Sequence, residues 1–387
     1  MRVFMKWLSR ILIVLGLAII AVGIWKREEI GRLLAVNSLF SEDKIVENFS
    51  SMNTMFLTRD VPRGSNDASH LPKGPEVELP SQTTAWIRDR SVTSLLVLHE
   101  GQIVHESYHL GTEPEDQRIS WSVAKSFLSA LVGILIDEGA IGSLDDPVTK
   151  YAPELRGSAY DGTRLRDVLN MASGVTFDED YLDFNSDINR MGRVLALGGT
   201  MDGFAAGLTE TFAEPGQTWQ YVSIDTHVIG MVVRGATGQD VPQLLSEKVI
   251  APLGLEATPY YITDGVGVAF VLGGLNLTTR DYARFGLMYE QEGRFDGEQI
   301  VPADWVRAST EATAPTEDGA IGYGYQWWIP AGSKPGQFMA RGIYGQYIYV
   351  DQTRDVVIVT TAADRDFRTP GIAQRNVDMF RSIAASL

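Results

Sequence analysis

Two S-x-x-K patterns, one H-E-x-x-H pattern and the complete absence of cysteine define the chemistry open to this 387-residue chain. Ser122-Val123-Ala124-Lys125 opens the most apolar helical run of the body. Val123, Phe127, Leu128, Leu131, Ile134 and Leu135 recur at helical spacing, and Gly139 marks the stop. Serine and lysine three apart on a helix share one face, within side-chain reach. Apolar surroundings and a helix N-terminus both disfavour an ammonium, so Lys125 is expected to be neutral near pH 7 and able to accept the serine proton. The same N-terminus offers free backbone N–H groups to an oxyanion. An N-cap serine followed by a surface lysine fits the same four residues, and the motif alone does not choose. Ser41-Glu42-Asp43-Lys44 lies in a charged, Pro- and Gly-punctuated stretch and reads as coincidence.

Other chemistries fare worse. His105-Glu106-Ser107-Tyr108-His109 matches a zinc-protease pattern that works only on a helix. Gln102-Ile103-Val104 begins a strand, where residues four apart lie about 13 Å from each other, too far to share one zinc. There is no G-x-S-x-G elbow, and His227, one of five histidines, sits in an apolar helical run as a structural residue. Without cysteine there are no disulfides, Cys-ligated zinc, iron–sulfur clusters or thiol nucleophiles. A net charge of −16 argues against nucleic acid as a partner.

The elements that must position Ser122 and Lys125 can be read coarsely. Val92–His99 and Gln102–His109 form a hairpin about Glu100-Gly101. Asp281–Glu290 is a helix, Gln346–Val350 and Val356–Thr361 are strands, and a last helix follows from about Gly371. Strands at both ends with helices between them predict an α+β fold. One antiparallel sheet would be flanked by helices, with a mainly helical insertion at about 126–260. Ahead of this 81–387 domain, residues 31–80 read as a tether and 1–30 as a membrane helix. Trp7 to Trp25 is 19 residues long, about 27 Å as a helix, with Trp at each end and Lys6 and Arg10 able to snorkel. Cleavage after Ala21-Val22-Gly23 is the competing reading. The first 32 residues carry +4, leaving −20 on the remainder.

Two further segments extend the chemistry. Tyr221-Val222-Ser223 precedes a helix, and Ala340-Arg341-Gly342-Ile343 lies on a strand near the C-terminus. With Ile119 to Ser126, Gly139 to Pro147 and Leu169-Asn170-Met171-Ala172-Ser173-Gly174, they follow in an order that resembles one group of serine hydrolases. That group contains the class C β-lactamases, DD-peptidases and 6-aminohexanoate-dimer hydrolases, and the resemblance spans about residues 85–385. It implies a β-lactamase/transpeptidase-like fold. Ser122 would be the acylated nucleophile, Lys125 its base, and Tyr221 the relay between Ser122 and the leaving group. Ser223 matches the third position of a Y-x-N box and Gly342 the last glycine of K-T-G. The backbone N–H groups of Ser122 and Ile343 would form the oxyanion hole. No metal or organic cofactor is implied.

The chain departs from the β-lactamase pattern where Ser223 replaces Asn and where Ala340-Arg341 replace Lys-Thr. The missing lysine argues against efficient β-lactam hydrolysis; Arg341 reads as an exposed strand residue, with a substitute for the missing charge as the other reading. The acidic loop Phe177–Arg190 reads either as a solvated face or as a wall of the site, with Tyr181 placed like a catalytic-site tyrosine of the dimer hydrolases. Trp327 and Trp328 are candidate cleft walls. The expectation is an exported, membrane-anchored serine hydrolase, at the periplasmic side of a bacterial inner membrane or secreted after cleavage, acting on a small-molecule ester or amide. A DD-peptidase or weak β-lactamase is the alternative activity, and a non-catalytic binding protein on the same fold the alternative class. Oligomeric state is not legible.

Overall fold

A computed structural model describes residues 2–387. Val92–His99 (β1) and Gln102–Tyr108 (β2) form the expected hairpin. Glu100 and Gly101 both take positive φ (50° and 72°), as a two-residue type I′ turn requires. Gly322–Gly324 (β3), Trp327–Ile329 (β4), Gln337–Gly342 (β5), Gln346–Asp351 (β6) and Val356–Ala362 (β7) complete the sheet. Its seven strands run in the order β2-β1-β7-β6-β5-β4-β3, every pair antiparallel. The two ends of the chain meet where β1 pairs with β7, His99 opposite Val356.

Strand alternation divides the core in two. Leu96, Leu98, Ile348, Val350, Val357 and Val359 face one layer, which holds Ala124–Asp137 (α3) and Thr279–Glu290 (α6). Leu95, Val97, Tyr347, Tyr349, Val356 and Ile358 face the other, under the C-terminal helix Ile372–Ala385 (α7). The helix α6 lies tight against the sheet at Gly286. A Cβ there would come within 2.6 Å of Val357 and 2.7 Å of Ile348. Between the α3 layer and residue 260 run further helices, among them Asp187–Ala196 (α4) and the almost wholly buried Ser223–Thr237 (α5). His227 on α5 is packed inside and bonded to Asp202 at 2.7 Å, a structural role. A second, four-stranded sheet orders Thr58–Asp60, Tyr260–Ile262, Leu275–Leu277 and Arg118–Ile119. Strands of two or three residues carry no readable alternation, so the sequence does not announce it.

The expectation of a loose tether over 31–80 is corrected. Leu39, Ile45, Phe49, Met52, Val61 and Leu71 are buried in the main core. The buried Arg118 binds this segment directly, donating to the Val46 carbonyl (2.6 Å) and the Ser50 hydroxyl (2.8 Å). Proline and glycine interrupt the segment, so it is held by isolated anchors and helical turns of four residues instead of one periodic face. Ser41 and Lys44 belong to it, and the Ser41 hydroxyl is spent on the Ser38 carbonyl. Ahead of it, Arg27–Ser38 (α2) follows Arg2–Trp25 (α1) after Lys26. Phe4–Trp25 is 22 residues long with mean hydropathy 2.4, enough to cross a membrane, and its apolar surface is unpacked against the rest of the chain.

Candidate active site

The site forms where α3, α5 and β5 converge. Ser122 lies in the 3₁₀ turn Trp121–Val123 that leads into α3, and the residue before it, Trp121, has φ 43°. On the facing strand end, Gly342 closes β5 and is followed by Ile343 and then Tyr344, with φ 59°. Bulky residues at positive φ are genuine outliers and concentrate at functional sites. Here both belong to one aromatic cluster. Phe40 stacks on Tyr344 (4.8 Å, 13°), and Phe49 meets both Trp121 (5.5 Å) and Tyr344 (5.5 Å). The supposed tether therefore holds the two strained positions in place. Gly342 is there because nothing larger fits: a Cβ would stand 2.6 Å from the Ser120 carbonyl and 3.1 Å from Trp121 Cβ. Ser122 and Ile343, on either side of that close approach, both line one pocket.

Lys125 is 1% exposed, and its Nζ donates to the Leu272 carbonyl at 2.7 Å. Burial pushes its ammonium down from 10.5 to about 7, while the carboxylates of Glu179 and Asp225 pull the other way. The surface-lysine reading of the motif is thereby excluded. Nζ lies 5.6 Å from the centre of the Tyr221 ring, and Ser122 is close enough to act on the Tyr221 phenol, favouring its ionised form. Burial first, and Glu179 second, hold the Tyr221 phenol well above its ordinary value, so at neutral pH it is a neutral group.

The acidic loop divides in a way that neither expectation foresaw. Asp178, Asp183 and Asp187 accept loop backbone N–H groups, and Asp180 pairs with Arg368. Glu179 alone turns inward. It accepts from the Tyr181 hydroxyl (2.6 Å), the Ser223 N–H (3.1 Å) and the Ser223 hydroxyl. Tyr181 and Ser223 thus reach the pocket beside Ser122, bound to a carboxylate that the sequence pattern did not single out from its acidic neighbours. Its one distinguishing signal is its place two residues before Tyr181. Asp225, on the first turn of α5, is buried, accepts from Tyr160 at 2.7 Å, and is raised by burial to about 7.

Two expectations on the sheet are corrected. Trp327 is fully buried in the core, 4.4 Å from Tyr289 and 5.1 Å from Phe338, so it does not wall the cleft. Its neighbour Trp328, on the opposite face by strand alternation, packs 5.1 Å from Tyr221. Arg341 is not a free surface residue. Its guanidinium lies 5.2 Å over Trp328, and its charge acts on Tyr221.

A hydroxyl, an amine titrating near neutrality, a neutral phenol and two convergent backbone segments are what acyl transfer needs. Comparison with known proteins agrees at the level of family. The model described as "Beta-lactamase" matches residues 83–376. The 6-aminohexanoate-dimer hydrolase of Paenarthrobacter ureafaciens is 33% identical over 287 residues, covering 70% of this chain and 73% of that protein. Among solved structures, a Bacillus anthracis protein provisionally named a 6-aminohexanoate-dimer hydrolase superposes with TM-score 0.79 at 24% identity, covering 89% of this chain and 95% of that one. EstCE1, described as a hydrolase with promiscuous acyltransferase activity, shares the fold at TM-score 0.61 and 16% identity, over 78% of this chain and 96% of its own. With the fold, the motif order and a family match over most of its length, the chain belongs to the β-lactamase family of serine hydrolases.

Proposed function

We propose that the protein hydrolyses an ester or amide through an acyl-enzyme on Ser122. The observation that carries this reading is Lys125, wholly buried and lowered to about 7 next to Ser122 and Tyr221. A neutral Lys125 amine donates one hydrogen to the Leu272 carbonyl and keeps its lone pair for a proton. Ser122 Oγ attacks the substrate carbonyl carbon as its proton passes to Lys125. The carbonyl oxygen takes the negative charge between the Ser122 and Ile343 N–H groups. Collapse breaks the bond to the leaving group, which is protonated from Lys125 through Tyr221. Water then attacks the acyl-enzyme by the same path in reverse, releasing the acid and restoring Ser122. Tyr221 moves the proton as a neutral phenol, consistent with a pKa held above its ordinary range.

Arg341 supplies a positive charge near the position of the family's K-T-G lysine, but engaged on Trp328. That supports poor β-lactam turnover. The name of the Paenarthrobacter relative brings linear amides into the candidate substrates. The apolar helix α1 supports an anchor that leaves the body exported. Labelling with a fluorophosphonate probe, wild type beside Ser122→Ala, tests the nucleophile. The wild type is expected to label and the variant not; equal labelling, or none in the wild type, overturns the assignment.

A further inference from the structure

We infer that the cavity beside Ser122 is a subsite for an uncharged aliphatic chain on the substrate, walled on one side by the membrane-proximal segment; the inference rests on Ser122 being the acylated residue. The cavity measures about 120 Å³. Leu39, Phe40, Met52 and Phe56 enter its wall from the chain that follows α1 and α2, and Met191 and Leu195 from α4, on which α2 packs. Leu272, whose carbonyl receives Lys125, adds a further apolar side, so a chain held there lies next to the base.

Among the described residues, the one buried polar side-chain atom on the lining without a partner is the Trp121 indole N–H, a donor that offers nothing to an ammonium. Tyr181 and Ser223 both donate to Glu179, and the Asn189 amide donates to the Tyr181 and Asp183 carbonyls. No carboxylate is among the described residues that line the cavity. A chain ending in an ammonium would lose its hydration there without gaining a partner. The site therefore fits a hexanoyl-type chain and disfavours its 6-amino analogue, a preference opposite to the one the relative's name suggests.

The test is kcat/KM of the full-length protein for p-nitrophenyl acetate, butyrate, hexanoate and 6-aminohexanoate. Each added methylene that enters the cavity is expected to raise kcat/KM, by up to about fourfold. The 6-amino ester is expected to fall about tenfold or more below the hexanoate. Leu195→Phe should lower the hexanoate-to-acetate ratio, and Leu195→Ala should move the optimum to a longer chain. A flat or falling chain-length profile, or a preference for the 6-amino ester, overturns the subsite while fluorophosphonate labelling of Ser122 still stands. Absence of labelling overturns the Ser122 reading itself. The chain can come from solution or from a bilayer, and phosphatidylcholine vesicles carrying the full-length protein separate the two. Cleavage of bilayer-dissolved dioctanoylglycerol as well as the aqueous hexanoate assigns a bilayer source; cleavage of the hexanoate alone assigns a dissolved one.

Discussion

If Lys125 is the base, the pH dependence of acylation should report its protonation directly. Lowering an ammonium from 10.5 to about 7 corresponds to about 5 kcal/mol set against the charged form, and its largest cause is desolvation of a side chain 1% exposed. At pH 7 about half the molecules then hold the neutral amine, at pH 6 about one in ten, and at pH 8 about nine in ten. The assay is kcat/KM for a p-nitrophenyl ester between pH 5 and 9, corrected for spontaneous hydrolysis. It should rise with unit slope on a logarithmic scale and level off above about 7. Asp225 is also raised to about 7, so the limb needs assignment. In Asp225→Asn the limb should persist, because the titrating group remains. In Glu179→Gln it should move to lower pH, since removing a nearby carboxylate weakens the ammonium. Lys125→Arg, which cannot deprotonate, should lose about 10²-fold or more at every pH. A profile flat from pH 5 to 9 would refute the assignment. So would an inflection near 10, or a limb unmoved by Glu179→Gln and abolished by Asp225→Asn.

The same geometry makes other outcomes specific. Gly342→Ala should cut kcat about 10²-fold with the fold intact, because its Cβ would displace the strand end from Ser120 and open the oxyanion hole; circular dichroism and ester turnover check both halves. Trp327→Ala should lower stability by about 3–5 kcal/mol in urea unfolding, whereas Trp328→Ala should act mainly on KM and kcat. Asp202 binds buried His227 and Arg234, and although burial alone would raise its carboxyl, those hydrogen bonds hold it below the ordinary range. Asp202→Asn should therefore cost about 1–3 kcal/mol at pH 7. A carboxylate lowered by folding contributes above its unfolded pKa near 4 and loses that contribution as pH falls, so wild type and variant should converge in acid.

How much of this was readable from the residues follows from range. The β1–β2 hairpin, α3 and the β6–β7 pair are long enough for their own periodicity to show, and the Ser122 to Lys125 spacing is local to one helical turn. Trp327 and Trp328 show the limit on a strand. Both are large and aromatic, and only the register of a three-residue strand decides which faces the core. Glu179 shows it in a loop. Its acidic neighbours are chemically the same, and it differs only in that the backbone turns it toward Ser223, on a helix 44 residues later. The packing of residues 39–71 was hidden for a related reason, since their anchors are single side chains whose partners lie far along the chain.

That hidden packing bears on why the site can exist at all. A buried lysine, a buried aspartate raised to about 7, and two bulky residues at positive φ each oppose folding. They persist only where the surroundings over-determine them. For Trp121 and Tyr344 those surroundings are Phe40 and Phe49, contributed by the segment between α2 and the first strand of the small sheet. Arg118, buried and lowered to about 10 by desolvation, is itself held by the carbonyl of Val46 and the hydroxyl of Ser50. The residues nearest the membrane-length helix thus brace the strained backbone at Trp121 and Tyr344 and line part of the cavity beside Ser122. A unit beginning at residue 81 would retain Ser122, Lys125 and Tyr221 but lack Phe40 and Phe49, the side chains packed on the strained Trp121 and Tyr344 beside them.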